Sequence, residues 1–205
     1  MCNFCDLASK MSGSKVVKDR EIVKTMMAYG VKSKDCQGWT PLHHAIFKKL
    51  PKMVEKILKF YEINELKAFL TEPLAHSVYF YNQNFEINKV LFNHGIDPNE
   101  ECMAFGIIST ILREEQESIK LFFDHGFEVD KVMYGKTSLQ HALEYGSAKS
   151  TKLLIQYYGA SLGIRDQDGN TALEITIQPP TPPLDILQTV KLKMFKQIVY
   201  LESNF

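Results

Sequence analysis

Four cysteines and six histidines are the residues of this 205-residue chain with the most chemistry to offer. Cys2 and Cys5 have the Cys-x-x-Cys spacing of a metal half-site or of a redox pair. Structural zinc takes four ligands, and neither a second pair nor a Cys-x-x-His follows these two. A thioredoxin-like pair needs a βαβ surround that the sequence does not supply. Cys2 and Cys5 therefore read as small apolar residues near a terminus, and together with Cys36 and Cys102 as reduced thiols. The histidines are His43, His44, His76, His94, His125 and His141. His94 and His125 each directly precede a glycine, a recurring slot that points to helix C-terminal carbonyls rather than to proton transfer. No Ser/His/Asp order, His-Glu-x-x-His, Walker loop or Rossmann fingerprint is present, so the expectation is no enzyme, no metal and no cofactor.

The elements that would carry these residues emerge from self-similarity. Four apolar runs end in glycine, at Gly30, Gly95, Gly126 and Gly159, spaced 65, 31 and 33 residues apart. The first interval is about two periods, and the run Met53, Val54, Ile57 and Leu58, ending near Phe60, fills it as a degenerate unit. A second marker keeps the same phase. Asp35-Cys36-Gln37-Gly38-Trp39-Thr40-Pro41-Leu42-His43-His44-Ala45 recurs as Tyr134-Gly135-Lys136-Thr137-Ser138-Leu139-Gln140-His141-Ala142 and as Asp166-Gln167-Asp168-Gly169-Asn170-Thr171-Ala172-Leu173. The glycines of this marker suit a tight turn, and Thr40, Thr137 and Thr171 are placed to cap a helix that begins at the next residue. Pro41 fits a first helical position. A second helix then carries each apolar run to its closing glycine.

Composition excludes several classes. Lys+Arg and Asp+Glu are 24 each, 45% of residues are apolar, and the pI is near 7.0, which suits a folded chain without the basic excess of a nucleic-acid binder. Neither nucleic acid nor a membrane is an expected partner. No apolar stretch approaches the roughly 18 residues of a membrane span, and Met1-Cys2-Asn3-Phe4-Cys5-Asp6 does not read as a secretory signal. A cytoplasmic location is the expectation, with a nuclear or host-delivered one left open. The zero net charge is unevenly distributed. Residues 1 to 60 carry a net +7, residues 61 to 130 a net −9 and residues 131 to 205 a net +2. In a one-dimensional array this becomes a basic end beside an acidic middle, read either as solvated faces or as steering of a bipolar partner.

The stretch Gly38-Trp39-Thr40-Pro41-Leu42-His43-His44-Ala45 resembles the signature of the ankyrin-repeat family, and the resemblance extends over roughly residues 16 to 178. It implies an all-α solenoid of about five helix-turn-helix units with protruding turns. It also implies that His43 hydrogen-bonds within and between repeats, a role carried by His43 alone because Gln140 and Glu174 stand at the equivalent places. The units at about 66 to 96 and 97 to 127 lack Thr-Pro-Leu-His, and Pro73-Leu74 is a shifted remnant at most. The implied function is non-catalytic binding of a protein partner through a concave groove and the turn tips. On this chain those positions are Cys36, Gln37, Trp39, Phe47 and Lys48, then Met133, Tyr134, Lys136, Glu144 and Tyr145, then Gln167, Asp168 and Asn170. Trp39, Phe47, Tyr134 and Tyr145 are the candidate anchors, since burial within the repeat is not expected there and aromatic residues dominate interface hot spots.

The ends differ from the middle. Residues 1–34 read as an N-terminal capping repeat with helices near Phe4 to Met11 and Asp19 to Tyr29, and residues 35–178 as the repeats. Residues 179–205 read as a Pro-rich break followed by the amphipathic helix Leu184 to Leu201. That helix is expected to cap a monomeric array. The alternative is an adaptor whose C-terminal segment recruits a second protein, such as a ubiquitin-ligase component, or a host-directed viral or bacterial factor.

Overall fold

A computed structural model describes residues 27–28, 30–35, 38–72 and 84–178 of the chain. It divides into two compact units, residues 1–96 and 97–205. The expectations for Cys2, Cys5, Cys36, Gln37, His76, Pro73-Leu74, the N-terminal helices and the C-terminal helix fall outside the described residues.

The first unit holds α1 (Pro41–Phe47), α2 (Pro51–Leu58), α3 (Ile63–Thr71) and α4 (Phe85–Asn93). The second holds a 3-10 turn (Glu101–Met103), α5 (Ala104–Leu112), α6 (Gln116–Asp124), α7 (Ser138–Glu144), α8 (Ala148–Gln156) and α9 (Ala172–Ile177). The described residues contain no strand, only an isolated antiparallel bridge between Met133 and Lys136. The fold is the expected all-α one, in which first and second helices pair as α1 with α2, α5 with α6 and α7 with α8.

Capping fixes where the first helices begin. The side chains of Thr40, Thr137 and Thr171 accept from the backbone N–H three residues on, and the residue at that third position returns a bond to the threonine N–H. Three different side chains serve as the return acceptor: His43 at 3.0 Å, Gln140 at 2.7 Å and Glu174 at 2.6 Å. Each box satisfies two N–H groups that the helix itself leaves unpaired, a contribution of about 1 kcal/mol per cap.

Burial follows from the pairing of helices. In the first unit Leu42, Ala45, Ile46, Val54, Ile57, Leu58, Leu66, Ile87 and Leu91 have no accessible surface. In the second unit Met103, Ile107, Ile111, Ile119, Phe122, Leu139, Ala142, Leu143 and Leu154 are equally buried. Each fully buried aliphatic side chain contributes on the order of 2 kcal/mol against exposure, so these helices, mostly too short to persist alone, are held by packing.

A shared connector sets the geometry of each helix pair. Three residues join α1 to α2, α5 to α6 and α7 to α8, and the middle one is left-handed in every case: Lys49 (φ 53), Glu114 (φ 56) and Gly146 (φ 73). The backbone bonds are the same in all three. Lys49, Glu114 and Gly146 donate to Ile46, Ile111 and Leu143, while Leu50, Glu115 and Ser147 donate to Ala45, Thr110 and Ala142. These bonds satisfy carbonyls at the end of the first helix and turn the chain back onto it.

Helix α3 departs from the repeat. It occupies residues 63–71, where one period earlier residues 30–35 and 38 are not helical. Glu62 and Glu65 form its capping box, and Lys32 clasps it at 2.8 Å from the Glu65 carboxylate and 5.1 Å from the centre of the Tyr61 ring. The bond from Lys32, with the Glu62 N–H, holds the Glu65 carboxyl below its ordinary pKa.

The connector gives a direct stability test. Only glycine takes a left-handed conformation without steric cost, so Lys49→Gly should stabilise the first unit by about 0.5–1 kcal/mol. Gly146→Ala should destabilise the second by about 1 kcal/mol or more. Urea unfolding of the full chain measures both.

Candidate functional site

The turns ahead of the first helices are built in two ways. In the first unit the Asp35 N–H donates to the Trp39 carbonyl at 2.9 Å and the Gly38 N–H to the Asp35 carbonyl at 3.0 Å. One Asp35 carboxylate oxygen accepts from the Trp39 N–H at 2.8 Å and the other lies 2.9 Å from His44 Nε2. Asp166 repeats the backbone pattern with Asn170 and Gly169, and its carboxylate accepts from the N–H groups of Asp168 and Asn170. The turn at Tyr134-Gly135 is one residue shorter. Met133 and Lys136 exchange backbone hydrogen bonds across it at 2.8 and 3.1 Å, and Tyr134 (φ 50) and Gly135 (φ 79) are both left-handed, as a two-residue hairpin requires. The missing carboxylate is replaced by a carbonyl, since His141 Nε2 donates to the Met133 oxygen at 2.9 Å where His44 meets Asp35. The shorter turn also accounts for the 34-residue interval between Gly135 and Gly169, because Met133 and Asp166, which open the two turns, are 33 residues apart.

The expected anchors separate into packed and exposed residues. Trp39 is half-buried, with its ring 5.0 Å from His44 and 5.3 Å edge-on from Phe47. Phe47 is 44% exposed, and Lys48 Nζ lies 5.8 Å from its ring centre. Trp39 thus supports Phe47, which faces solvent. In the second unit Tyr134 is 50% exposed and rests against Phe105 with ring centres 4.6 Å apart. Tyr145, at the end of α7, is 58% exposed. Lys136 and Glu144, both expected to meet a partner, form an ion pair with each other at 2.7 Å that ties the turn to the far end of α7. Gln167 and Asp168 are exposed and Asn170 half-buried, with its carbonyl accepting from Gln140 at 3.2 Å.

One expectation is corrected. Met133 is buried at 4% exposure, because the hairpin turns its side chain into the unit while Val132 and Tyr134 on either side point out. Val132, 55% exposed, and Phe105, half-buried under Tyr134, are additions to the surface. Val132 was legible from the alternation around Met133; Phe105 lies in a unit with no Thr-Pro-Leu-His to place it. Phe60 and Tyr157 are also exposed, at 56% and 76%, beyond the ends of second helices.

The histidines divide by role. His125 Nδ1 lies 2.8 Å from the Leu121 carbonyl in the last turn of α6, the expected kind of contact, whereas His94 Nε2 lies 3.3 Å from the Tyr61 carbonyl in the link between α2 and α3. His43 accepts from Thr40 within its own unit, but its Nε2 has no hydrogen-bond partner among the described residues, and its ring centre lies 4.5 Å from that of Phe69 in an edge-on arrangement. The bond between repeats is made instead at Gln140, whose Nε2 donates to the Ile164 carbonyl at 2.8 Å. The role assigned to His43 alone is thus divided between two residues, and at His43 the Phe69 ring of α3 lies against the imidazole. Burial, reinforced by the neighbouring His44, lowers the His43 pKa to about 4. Burial lowers the His141 pKa as well, opposed by its bond to Met133. Among the described residues there is no group of three His, Cys, Asp or Glu side chains that could hold a metal ion, and no helix is long and apolar enough to cross a membrane.

Comparison with known proteins places this geometry. Residues 14–102 match the model for ankyrin repeats in three copies. The structure is similar to EF0377, an ankyrin repeat protein, with TM-score 0.65 and 20% identity over 96% of each chain. It is similar to the ankyrin repeat domain of Bcl-3, a unique member of the IkappaB protein family, with TM-score 0.61 and 20% identity over 84% of this chain and 78% of that one. The human ASB11 ankyrin repeat domain aligns with TM-score 0.52 and 15% identity over 95% of this chain and 98% of that one. No curated protein sequence matches significantly. Ankyrin repeats are general protein-protein interaction modules on a non-enzymatic scaffold.

The buried histidine gives a pH dependence of defined sign. Between the unfolded value near 6.5 and the folded value of about 4, the unfolded chain binds a proton that folded His43 refuses. Its contribution is therefore complete above pH 6.5 and declines as the pH falls toward 4. His43→Gln keeps the capping box, as Gln140 does, and should flatten this part of the stability profile when urea midpoints are compared at pH 7 and near pH 4.5.

Proposed function

We propose that this ankyrin-repeat chain works by binding a protein partner through its turn tips and the adjoining ends of its first helices. The observation that carries the reading is the exposed aromatic set of the second unit, Tyr134 on Phe105 together with Tyr145, arranged about the Lys136–Glu144 ion pair. Tyrosine brings a large apolar area and a hydroxyl while losing few rotamers on binding, and such residues supply most of the energy at interfaces. The left-handed Tyr134 supports the reading independently. A bulky residue at a position that favours Asn or Gly carries local strain, which is found where a side chain is retained for contact. In the first unit Phe47, supported by Trp39 and beside Lys48, offers a second aromatic contact of the same kind. Asp168 and Asn170 contribute polar groups at the last turn. The partner complements aromatic contacts with paired charge, the reaction catalysed is none, and the cytoplasm is the proposed location.

The strain at Tyr134 supplies a clean test. Tyr134→Asn leaves an Asn-Gly hairpin, the preferred sequence for this turn, so the fold should be retained while the aromatic contact is lost. Combined with Tyr145→Ser, it should weaken capture of a partner at least tenfold in affinity purification followed by calorimetry with the captured protein. Undiminished affinity in the folded double variant would contradict the assignment.

A further inference from the structure

The connector and second helix of the first repeat pair have a counterpart 65 residues later with the same backbone and mostly opposite charge. Both segments begin with a left-handed residue, at Lys49 and Glu114, and both continue into a helix, α2 at Pro51 and α6 at Gln116. At matching positions Lys49 faces Glu114, Lys52 faces Glu117, Glu55 faces Lys120 and Lys59 faces Asp124. Lys48 and Arg113 are alike in sign, and Lys56 corresponds to Leu121, which is buried. Lys49, Lys52, Glu55 and Lys59 are exposed and enter no ion pair among the described residues. On the other segment Glu117 is likewise exposed, while Glu114 is half-buried and pairs with Lys149 at 3.7 Å, and Lys120 and Asp124 pair with each other at 2.7 Å along one helix.

Lys49 adds a second observation. The equivalent connector between α7 and α8 uses Gly146, which takes the left-handed conformation without strain. Lysine and glutamate are kept at this position in the two segments whose charges oppose, at a cost to the stability of each unit. In the second unit Glu114 accepts from the Lys149 N–H at 2.8 Å. Lys49 has no such partner among the described residues of its own unit.

We propose that α2 of one copy of this chain docks beside α6 of a second copy, the two helices running parallel and in register. The parallel arrangement sets Lys49, Lys52, Glu55 and Lys59 against Glu114, Glu117, Lys120 and Asp124. An antiparallel one keeps Lys49 against Asp124 and Lys59 against Glu114 but brings Lys52 against Lys120 and Glu55 against Glu117, so two repulsive pairs cancel two attractive ones where the parallel arrangement has four attractive. Phe60, 56% exposed just beyond α2, supplies an apolar contact at the C-terminal end of the pairing. The charges on α2 and α6 lie on second helices, so this surface is separate from the aromatic turns and does not depend on the function proposed for them. Each copy carries one face of each sign, and pairing joins unlike faces. Exposed ion pairs are individually weak, so the association is weak and sensitive to salt.

Sedimentation velocity of the full chain tests this. The wild type should form dimers or larger species at roughly 0.01 M salt and return to monomer as salt approaches about 1 M, where screening reduces the Debye length from about 30 to 3 Å. Lys52→Glu with Lys59→Glu makes both faces acidic, and Glu117→Lys with Asp124→Lys makes both basic. Each variant alone should remain monomeric, and an equimolar mixture should recover association. A second mixture controls for net charge, pairing Lys131→Glu with Lys152→Glu against Glu101→Lys with Glu128→Lys. Those control variants should each associate as the wild type does, because the docking faces are intact. A wild type that is monomeric at low salt overturns the proposal, as does association that survives in either charge-reversed variant alone. Circular dichroism melting of every variant confirms that the comparison is between folded chains.

Discussion

The left-handed residue between paired helices is the constraint on which the remaining structure depends. With three connecting residues the chain must reverse direction and still place the second helix against the first. The backbone bonds from Lys49 and Leu50, repeated at Glu114 and Glu115 and at Gly146 and Ser147, accomplish this while satisfying carbonyls at the end of the first helix. Everything buried follows from that reversal, since Ile46, Ile111 and Leu143 can reach their partners on the second helix only if the pair closes at this angle. The threonine caps fix the other end of the first helix, and between them cap and connector leave a first helix of seven residues in α1 and α7.

Repeat period, helix pairing and threonine capping were legible in the sequence because each rests on a local rule: a glycine that stops a helix, a threonine that starts one, an apolar run between them. The connector was not, because two of its three left-handed positions carry Lys49 and Glu114, which have no propensity for that conformation. Helix α3 was hidden for a related reason. Its caps are Glu62 and Glu65 rather than a threonine box, and it lies where other units make a turn. The shortened hairpin was visible only as a 34-residue interval, and without its geometry Met133 reads as a turn-tip residue instead of a buried one. His43 and Gln140 show that an aligned position does not fix a role. Both close a capping box, yet Gln140 alone of the two also bonds the next repeat.

The proposed function depends on how these turns are supported. Tyr134 is held out by a hairpin in which neighbouring Met133 is the buried residue, and Phe105 supports its ring from below. Phe47 is held out by Trp39, which the sequence places beside it among the four candidate anchors. In both units a packed side chain positions an exposed one, so the contact surface is pre-arranged and loses little freedom on binding. The Lys136–Glu144 pair serves the second unit in the same way, joining the turn to the helix end that carries Tyr145.

Hydroxyl-radical footprinting of the chain, free and bound to the protein it captures, tests this account most directly because it reads aromatic side chains one at a time. Tyr134 and Tyr145 should be oxidised readily in the free chain and protected in the complex, with Phe47 following if both units engage. Tyr157, the most exposed large apolar residue among the described residues and placed at the end of a second helix, should stay reactive throughout. Protection of Tyr157 with Tyr134 and Tyr145 unchanged would contradict the account.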